Sequence, residues 1–489
     1  MYATFRLALA VPLLAVTAWL SACAGDKASP LSDGLLAHVS LEGWGLPKAW
    51  VSGARPASTH LQAADATPGD VFGAAVALSR DGNTLAVGAE LKTALGASEA
   101  VPAAGAVYVY TRTPEGWREE ARLLAPVRSS GTGFGHSLAL SDDGSRLGVG
   151  APFESHAAAH AGESLAGDQG VVYVFERSAS GWGQPSRLQA SNAASFDWFG
   201  MSLAFSGRGD ALAVGAHRHD AEDAQGARTD AGAVYVFSRT AAGWAEHAVL
   251  TAVDAKEGAQ LGQSVALSVD GQTLVAGARA SGLGAVHVFR RDGVLWREQA
   301  VVEAANAMPQ NPLIGQVALS ADGSTLAVGA SAPEGTEARQ RSAGSAYVFV
   351  NQDGHWRQTA RIRASNSRNG DAFGERLSLS SDGRVLAVSA VSGSDAARGQ
   401  GGEQANTTAQ AAGAVYVYTR QGQRWDQTDH VKSSRTRTVD QFGSALALSG
   451  DGRQLAVGAR LEDGAWSLRG WLSGQRRQNS GGVHLYSRG

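Results

Sequence analysis

The sequence predicts an all-β protein whose main domain is a seven-bladed β-propeller of four-stranded antiparallel blades. Three observations support this prediction: one segment recurs seven times, each of the first six copies contains four strand candidates, and a lone strand candidate near the start supplies the strand that the last copy lacks. Repeats are decisive because a length of 489 residues would otherwise suggest two or three unrelated domains.

Each copy of the repeat opens with Phe-Gly, or with Leu-Gly or Ile-Gly in its place. An apolar run such as Leu-Ala-Val-Gly-Ala follows, then a run such as Gly-Ala-Val-Tyr-Val-Tyr, and in six copies a Trp comes next. The spacing between successive openings varies, whereas the order of the motifs within a copy does not. The opening residues are Phe72, Phe134, Phe199, Leu261, Ile314, Phe373 and Phe442.

Four stretches of each copy have strand character, as the first copy illustrates. Residues 76–78 alternate large and small side chains, and the Asp-Gly pair at 81–82 suits a hairpin turn. Residues 85–88 are apolar throughout, which is typical of a strand buried on both faces, whereas 107–110 are β-branched and aromatic. The stretch 117–123 supplies the fourth strand. The small residues of the first two strands are expected where inner strands crowd around the axis.

The two ends of the chain favour a closed ring. The seventh copy stops at Val483–Tyr486 without its fourth strand, whereas Leu61 lies in an isolated strand candidate shortly before Phe72. The spacing from Leu61 to Phe72 equals that from Leu123 to Phe134, where a fourth strand leads into the next copy. We therefore predict that the N-terminal strand completes the last blade, which leaves no open sheet edge between blades.

Over residues 59–489 these motifs resemble the FG-GAP repeat of the integrin alpha-chain propeller. The resemblance implies a seven-bladed ring that is often used for protein recognition on its upper face, where the loops between second and third strands lie. Family members often carry a calcium loop, Asp-x-Asp-x-Asp-Gly, between the first two strands. Here that hairpin is shortened to Ser-x-Asp-Gly, as at 79–82. Calcium takes six to eight oxygen ligands, so we expect no calcium in these hairpins, and no other cofactor.

The first residues have the pattern of an export signal. Arg6 precedes an apolar run, Leu7 to Leu20, that is short for a membrane span. Leu20-Ser21-Ala22-Cys23 then resembles the lipobox of bacterial lipoproteins, whose cysteine is lipidated. Ala24 stands where lipoproteins retained at the inner membrane tend to have Asp, so the resemblance implies anchoring at the outer membrane, on its periplasmic or its surface side.

The expected organisation follows from these patterns. Residues 1–22 are a signal peptide, residues 23–58 are the lipidated Cys23 with a tether, and residues 59–489 are the propeller. Cys23 is the one cysteine of the chain, which excludes an internal disulfide.

Composition and motifs reduce the number of function classes that fit the sequence. A formal net charge of -3 gives no basic surface to hold a phosphate backbone, so we expect no nucleic-acid partner. No Gly-x-Ser-x-Gly, Gly-Lys-Ser/Thr or His-Glu-x-x-His motif occurs, so we do not expect an enzyme. The favoured hypothesis is a monomeric ring that binds a protein or glycan at the cell envelope. The alternatives are a structural subunit of an outer-membrane assembly and a hydrolase or lyase with an axial active site.

Three sets of residues are candidate sites. Trp466 and Trp471, in one long loop, are either anchors for a partner or a plug on the ring. His156, His160, His217 and His219 lie in two neighbouring loops and are weak zinc or copper candidates; we expect solvated histidines and no metal. Arg208-Gly209-Asp210 matches an integrin-recognition tripeptide, but its place in a first hairpin predicts a turn.

Overall fold

The computed structural model describes residues 58–95, 100–155, 167–223, 226–279, 284–305, 316–331, 343–394, 409–463 and 479–488. All of them lie in one compact unit, Lys48–Gly489. Every regular element in these ranges is a β-strand. None of the described residues forms a helix long and apolar enough to cross a membrane. The predicted signal peptide, Cys23 and all of the tether except residue 58 lie outside the described residues.

Six of the blades follow one another along the chain, and their strands are antiparallel. Blade 1 contains β2 (Ala75–Leu78), β3 (Thr84–Ala89), β6 (Ala106–Thr113) and β7 (Gly116–Leu123); blade 2 contains β8 (Ser137–Leu140), β9 (Arg146–Ala151), β10 (Val171–Ser178), β11 (Gly181–Trp182) and β12 (Ser186–Leu188); blade 3 contains β13 (Ser202–Phe205), β14 (Ala211–Ala216), β17 (Ala233–Thr240) and β18 (Gly243–Leu250). Blade 4 contains β19 (Ser264–Leu267), β20 (Thr273–Ala278), β21 (Ala285–Asp292) and β22 (Leu295–Val302); blade 5 contains β23 (Val317–Leu319), β24 (Thr325–Ala330), β25 (Ser345–Gln352) and β26 (His355–Ile362); blade 6 contains β27 (Phe373–Leu379), β28 (Val385–Ala390), β29 (Ala414–Gln421) and β30 (Arg424–Val431).

Two features depart from a plain four-stranded pattern. The outer strand of blade 2 is split into β11 and β12, which both pair with β10. Pro185, which has no amide hydrogen for the ladder, lies in the gap. Two small hairpins also occur in loops between second and third strands: β4 (Ala94–Leu95) with β5 (Ala100–Val101), and β15 (Ala221–Asp223) with β16 (Gly226–Arg228).

Blade 7 joins the two ends of the described chain. It contains β31 (Phe442–Leu448), β32 (Gln454–Ala459) and β33 (Gly482–Ser487), and its outer strand is β1 (Thr59–Leu61). The register pairs Thr59 with Leu485, His60 with His484 and Leu61 with Val483. The predicted closure of the ring by the N-terminal strand is therefore confirmed.

The two faces of the ring differ in what they carry. Because successive strands of a blade alternate in direction, the hairpins from first to second and from third to fourth strands lie at one end, the lower face. The loops from second to third strands, and those from one blade to the next, lie at the other end, the upper face.

A closed circle of seven main-chain hydrogen bonds links the first hairpins of all blades. Each amide that follows the repeated Ser donates to the equivalent carbonyl of the next blade. The pairs are Arg80 N to Asp142 O (3.1 Å), Asp142 N to Gly207 O (3.0 Å), Gly207 N to Val269 O (2.9 Å), Val269 N to Ala321 O (2.9 Å), Ala321 N to Ser381 O (2.9 Å), Ser381 N to Gly450 O (2.9 Å) and Gly450 N to Arg80 O (2.7 Å).

The apolar core lies between adjacent blades. Phe72, which opens blade 1, is fully buried and packs edge-on against Tyr108 with ring centroids 5.4 Å apart. The same cluster includes Val483 and Leu485 of blade 7, so it bridges the two ends of the described chain. Equivalent clusters join each blade to its neighbour.

The repeated glycines allow neighbouring backbones to touch. A Cβ on Gly88 would lie 2.1 Å from the carbonyl oxygen of Gly135 in the next blade, and one on Gly458 would lie 2.1 Å from that of Gly73. Real Cβ atoms do not approach so closely, so any side chain here would separate the blades. The crowding that we expected around the axis is therefore found between adjacent blades.

Two glycines of one strand, β9, test this explanation. Gly150→Ala would place a methyl carbon 2.2 Å from both Gly200 O and Ser137 Oγ, and we expect a loss of about 2–3 kcal/mol in the free energy of unfolding. Gly148→Ala, whose Cβ would meet nothing closer than 3.4 Å, should gain about 0.4–1 kcal/mol instead. Urea unfolding of both variants measures the difference, and equal effects would contradict the close-contact explanation.

Candidate binding surface on the upper face

A cavity of about 470 Å³ lies on the axis of the ring. It is axial because all seven blades contribute to its wall, mainly through the residues that follow each Phe-Gly opening. Those openings lie at the upper end of the first strands, so the cavity is bounded by the upper parts of the inner strands. The residues there include Ala74, His136, Met201, Gln263, Gln316 and Glu375.

Charged side chains surround the upper end of this cavity. His136 Nδ1 lies 2.5 Å from Glu90 Oε2. Burial would raise the pKa of Glu90, but His136 and the guanidinium groups of Arg460 and Arg376 outweigh that effect and hold the pKa below its usual range. Arg376 Nε also donates to the carbonyl oxygen of Ser444, at 3.0 Å, which orients its guanidinium group. Polar groups of both signs are thus available to a ligand in this cavity.

A ladder of rings runs along the upper face from blade 2 to blade 3. His136 stacks edge-on with Phe153 at 5.7 Å, and Phe153 with Trp198 at 5.5 Å. Trp198 in turn meets His217 at 5.4 Å, and the guanidinium carbon of Arg218 lies 4.5 Å from the Trp198 ring centre. This packing gives the region beside the cavity a rigid aromatic wall.

The structure describes two of the four histidines that were weak metal candidates. His156 and His160 lie outside them. His217 and His219 are 5% and 8% exposed, so the expectation of solvated loop histidines is wrong for these two. His219 Nδ1 lies 3.2 Å from Asp197 Oδ2, because the loop after β14 folds down onto the loop that precedes blade 3. Spacing along the chain does not reveal such packing.

Two exposed apolar residues project from the loops that lead into blades 3 and 7. Phe196 is 55% exposed and Val439 is 48% exposed, and their φ angles are +68° and +69°. Each follows the end of an outer strand at the same spacing, Leu188 for Phe196 and Val431 for Val439. The equivalent positions in four other loops hold glycines with positive φ, namely Gly69, Gly131, Gly258 and Gly370. The sequence analysis missed this pair, although aligning the loops on those glycines would have found it.

Of the other sequence candidates, the structure describes the Arg-Gly-Asp segment but not the two tryptophans. Trp466 and Trp471 lie outside the described residues, so their role stays a prediction. The Arg208-Gly209-Asp210 segment is a turn, as predicted: Gly209 N donates to Ser206 O at 2.8 Å, and Ser206 Oγ donates to Asp210 Oδ1 at 2.7 Å.

One further cluster could hold a metal ion. His60, Glu462 and His484 each present a ligand atom within 4.8 Å of the other two. They lie in blade 7, where the chain ends meet, and the sequence analysis did not single them out.

The hairpin aspartates bear on calcium binding. In blade 1, Asp81 Oδ1 accepts a hydrogen bond from Ser79 Oγ at 2.5 Å and one from the Asn83 amide at 3.0 Å. We expect titration with CaCl2 to give no saturable heat in calorimetry and no change in thermal midpoint, because each hairpin offers about one carboxylate. Several tight sites would contradict this prediction.

His217 should make the protein less stable in acid. Burial, with Arg218 adding to the effect, lowers the pKa of His217 from 6.5 to about 4. Between these values the unfolded chain binds a proton that the folded chain resists, so stability falls as the pH drops from 6.5 to 4, by roughly 3 kcal/mol for this residue. His217→Phe should flatten that part of the profile. Urea unfolding at pH 6.5, 5.5 and 4.5 measures it; parallel profiles for the two proteins would contradict the assignment.

A comparison with protein families agrees with the architecture. The family described as FG-GAP repeat matches residues 57–110, 182–237, 244–289 and 356–418. Three of these stretches begin at the repeated Trp in the fourth strand of one blade and continue into the next blade. The described chain likewise begins with a fourth strand, β1, which completes blade 7.

A solved structure, hydrazine synthase of Kuenenia stuttgartiensis, is 14% identical; the alignment covers 82% of this chain and 94% of that one, with a TM-score of 0.49. No curated protein sequence matches this chain. Four stretches of this chain thus match the FG-GAP repeat, and the chain folds as a seven-bladed β-propeller.

Proposed function

We propose that this chain is an envelope-anchored binding or scaffolding module that recognises a protein or glycan through its upper face. The observation that carries the proposal is the pair Phe196 and Val439, which expose apolar side chains at positive φ where other blades have glycine.

Both features of this pair cost free energy in the isolated ring. The left-handed conformation costs a residue with a side chain about 1–2 kcal/mol, and more strain is expected for a β-branched residue such as Val439. Exposed apolar groups gain nothing from burial until a partner covers them. Backbone strain of this kind is concentrated at functional sites, and exposed apolar groups beside polar ones are typical of recognition surfaces.

The axial cavity supplies the polar half of such a surface. Gln263, Gln316, His136 and Glu375 offer donors and acceptors, and Arg376 offers a fixed cation. A few convergent polar groups in a concave site give orientation and specificity to a bound peptide segment or sugar.

The proposed location rests on the first residues of the chain. The resemblance of Leu20–Cys23 to a lipobox supports export and lipidation at Cys23, at the outer membrane. A disordered tether of about 35 residues would reach on the order of 30 Å, so the ring would meet partners close to the membrane. Tethering raises the effective concentration of any partner held at the same surface.

One observation favours a second candidate, a hydrolase or lyase with an axial active site. His136 and Glu90 form a close His–carboxylate pair beside the cavity, and such a pair can act as a general base. A screen of small-molecule substrates in which activity is lost on His136→Ala would support this candidate over the binding module.

The apolar pair gives a test in which stability and binding move in opposite directions. We expect Val439→Gly to raise the free energy of unfolding by roughly 0.5–1 kcal/mol, because relief of strain exceeds the entropic cost of glycine. The double variant with Phe196→Gly should bind its partner at least about tenfold more weakly. Urea unfolding measures the free energy of unfolding. A glycan array and stoichiometric pulldown from cross-linked envelope extract measure the binding.

A matched control is available on the lower face. Val294 is 70% exposed in the hairpin between β21 and β22 and has no positive φ. Val294→Gly should gain no stability and should bind as the wild type does. If the double variant binds normally while Val294→Gly loses the partner, the upper-face proposal is wrong. A partner that stays in stoichiometric complex with every variant would favour a structural subunit of an outer-membrane assembly.

A further inference from the structure

We propose that His60, Glu462 and His484 form a zinc site that fastens the N-terminal strand β1 to the last blade. The three side chains come from β1, from the loop that follows β32, and from β33. This inference does not depend on the proposed function.

The donor atoms lie close enough together to bind one zinc ion after a small adjustment. Glu462 Oε1 lies 3.3 Å from His60 Nε2, which is the edge of a tetrahedron whose metal bonds are about 2.0 Å long. Glu462 Oε2 lies 2.6 Å from His484 Nε2, so a small widening of this contact would admit the ion. Two imidazoles and one carboxylate are a common zinc donor set and leave a fourth position for water.

The cluster is buried and leaves two polar atoms unsatisfied. The side chains of Glu462 and His484 are 2% and 1% exposed, and that of His60 is 17% exposed. His60 Nε2 and Glu462 Oε1 have no hydrogen-bond partner, although they lie close together. Buried polar atoms are nearly always paired, and a cation between these two would satisfy both.

Blade 2 shows what the same three positions do without histidine. Glu154 occupies the position of Glu462, three residues after the last residue of the second strand. There Tyr173 OH donates to the carboxylate at 2.9 Å and Arg187 donates to it at 3.1 Å. Blade 7 has His484 and His60 in the places of Tyr173 and Arg187. Two side chains that donate to the carboxylate in blade 2 are thus replaced by two whose neutral forms offer a nitrogen lone pair.

A glycine in blade 7 keeps the space between the ligands open. At the position of Gly482 the other blades have Ala, Val or Ser. A Cβ on Gly482 would lie 2.8 Å from both Glu462 Oε2 and His60 Nε2. Its φ is not positive, so the backbone does not require glycine there. The absent side chain leaves room where an ion would sit.

The cluster lies where the N-terminal strand β1 pairs with the last strand of the ring, β33. β1 has only three residues and three register pairs to hold it on β33. A metal that joins His60 to Glu462 and His484 closes a loop that spans almost the whole ring, and links that close long loops restrict the unfolded chain most. The ion would therefore stabilise the ring in blade 7, where no hairpin joins the fourth strand to the third.

The test uses the full-length chain purified in detergent with ZnCl2 as the probe. We expect about one zinc per chain by mass spectrometry, and removal of the ion by a chelator should lower the thermal midpoint by several degrees. His484→Ala should weaken zinc binding at least about 100-fold in competition titration, since loss of supporting residues alone costs 10–100-fold.

Gly482→Ala separates metal binding from folding. It leaves all three ligands in place and introduces the residue that blades 1, 3, 4 and 6 have at this position, so the fold should persist while zinc binding is lost. Glu154→Gln, at the matching position of blade 2, should keep the zinc. Wild-type protein that binds no zinc below about 10 µM, or a Gly482→Ala variant that binds it normally, overturns the proposal.

Discussion

The circle of main-chain hydrogen bonds around the lower face is the constraint on which the rest of the ring depends. Its donors range from Arg80 to Gly450, and blades with different residues at this position make the same hydrogen bond because it joins backbone atoms. Each blade is held by two neighbours, including the first and the last, so a change in one blade cannot be absorbed by rotating it. The variation in length between copies of the repeat must then be taken up by the upper-face loops. A uniform lower face and a variable upper face are consequences of the same closure.

Close contact between backbones explains why the repeated residues are small, and its one exception supports the explanation. Blade 6 has Ser389 where four other blades have glycines in contact with the next blade. Its hydroxyl accepts a hydrogen bond from the Arg376 amide at 3.0 Å, and a Cβ on Gly443 would lie 2.9 Å from the Ser389 Cβ. The serine therefore takes part in the hydrogen bonding of β27 and β28, and its space is provided by the glycine of the neighbouring blade.

The architecture could be predicted from sequence because ring closure is visible in the spacing of the strands: the spacing from Leu61 to Phe72 matches that from Leu123 to Phe134. The candidate sites were harder to predict from the sequence. Burial of His217 depends on its contact with Trp198, which no spacing reveals. The strain at Val439 was readable in principle, since other loops have glycine there. The zinc cluster of blade 7 could be predicted only in part: the predicted closure places His60 beside His484, whereas Glu462 reaches them through the fold of the loop after β32.

Blade 7 differs from the others in mechanics as well as in sequence. In blades 1 to 6 a hairpin joins the third and fourth strands covalently, whereas β1 is held on β33 by non-covalent contacts alone. Polar contacts hold the residues just after β1: Gln62 donates to Gly481 O of blade 7 at 3.3 Å, and Asp65 accepts from Tyr108 of blade 1 at 2.6 Å. The proposed tether precedes Thr59 directly, so any pull from a membrane anchor would act on β1 first. A metal ion bound through His60 would resist that pull at the residue next to the point where it enters the ring.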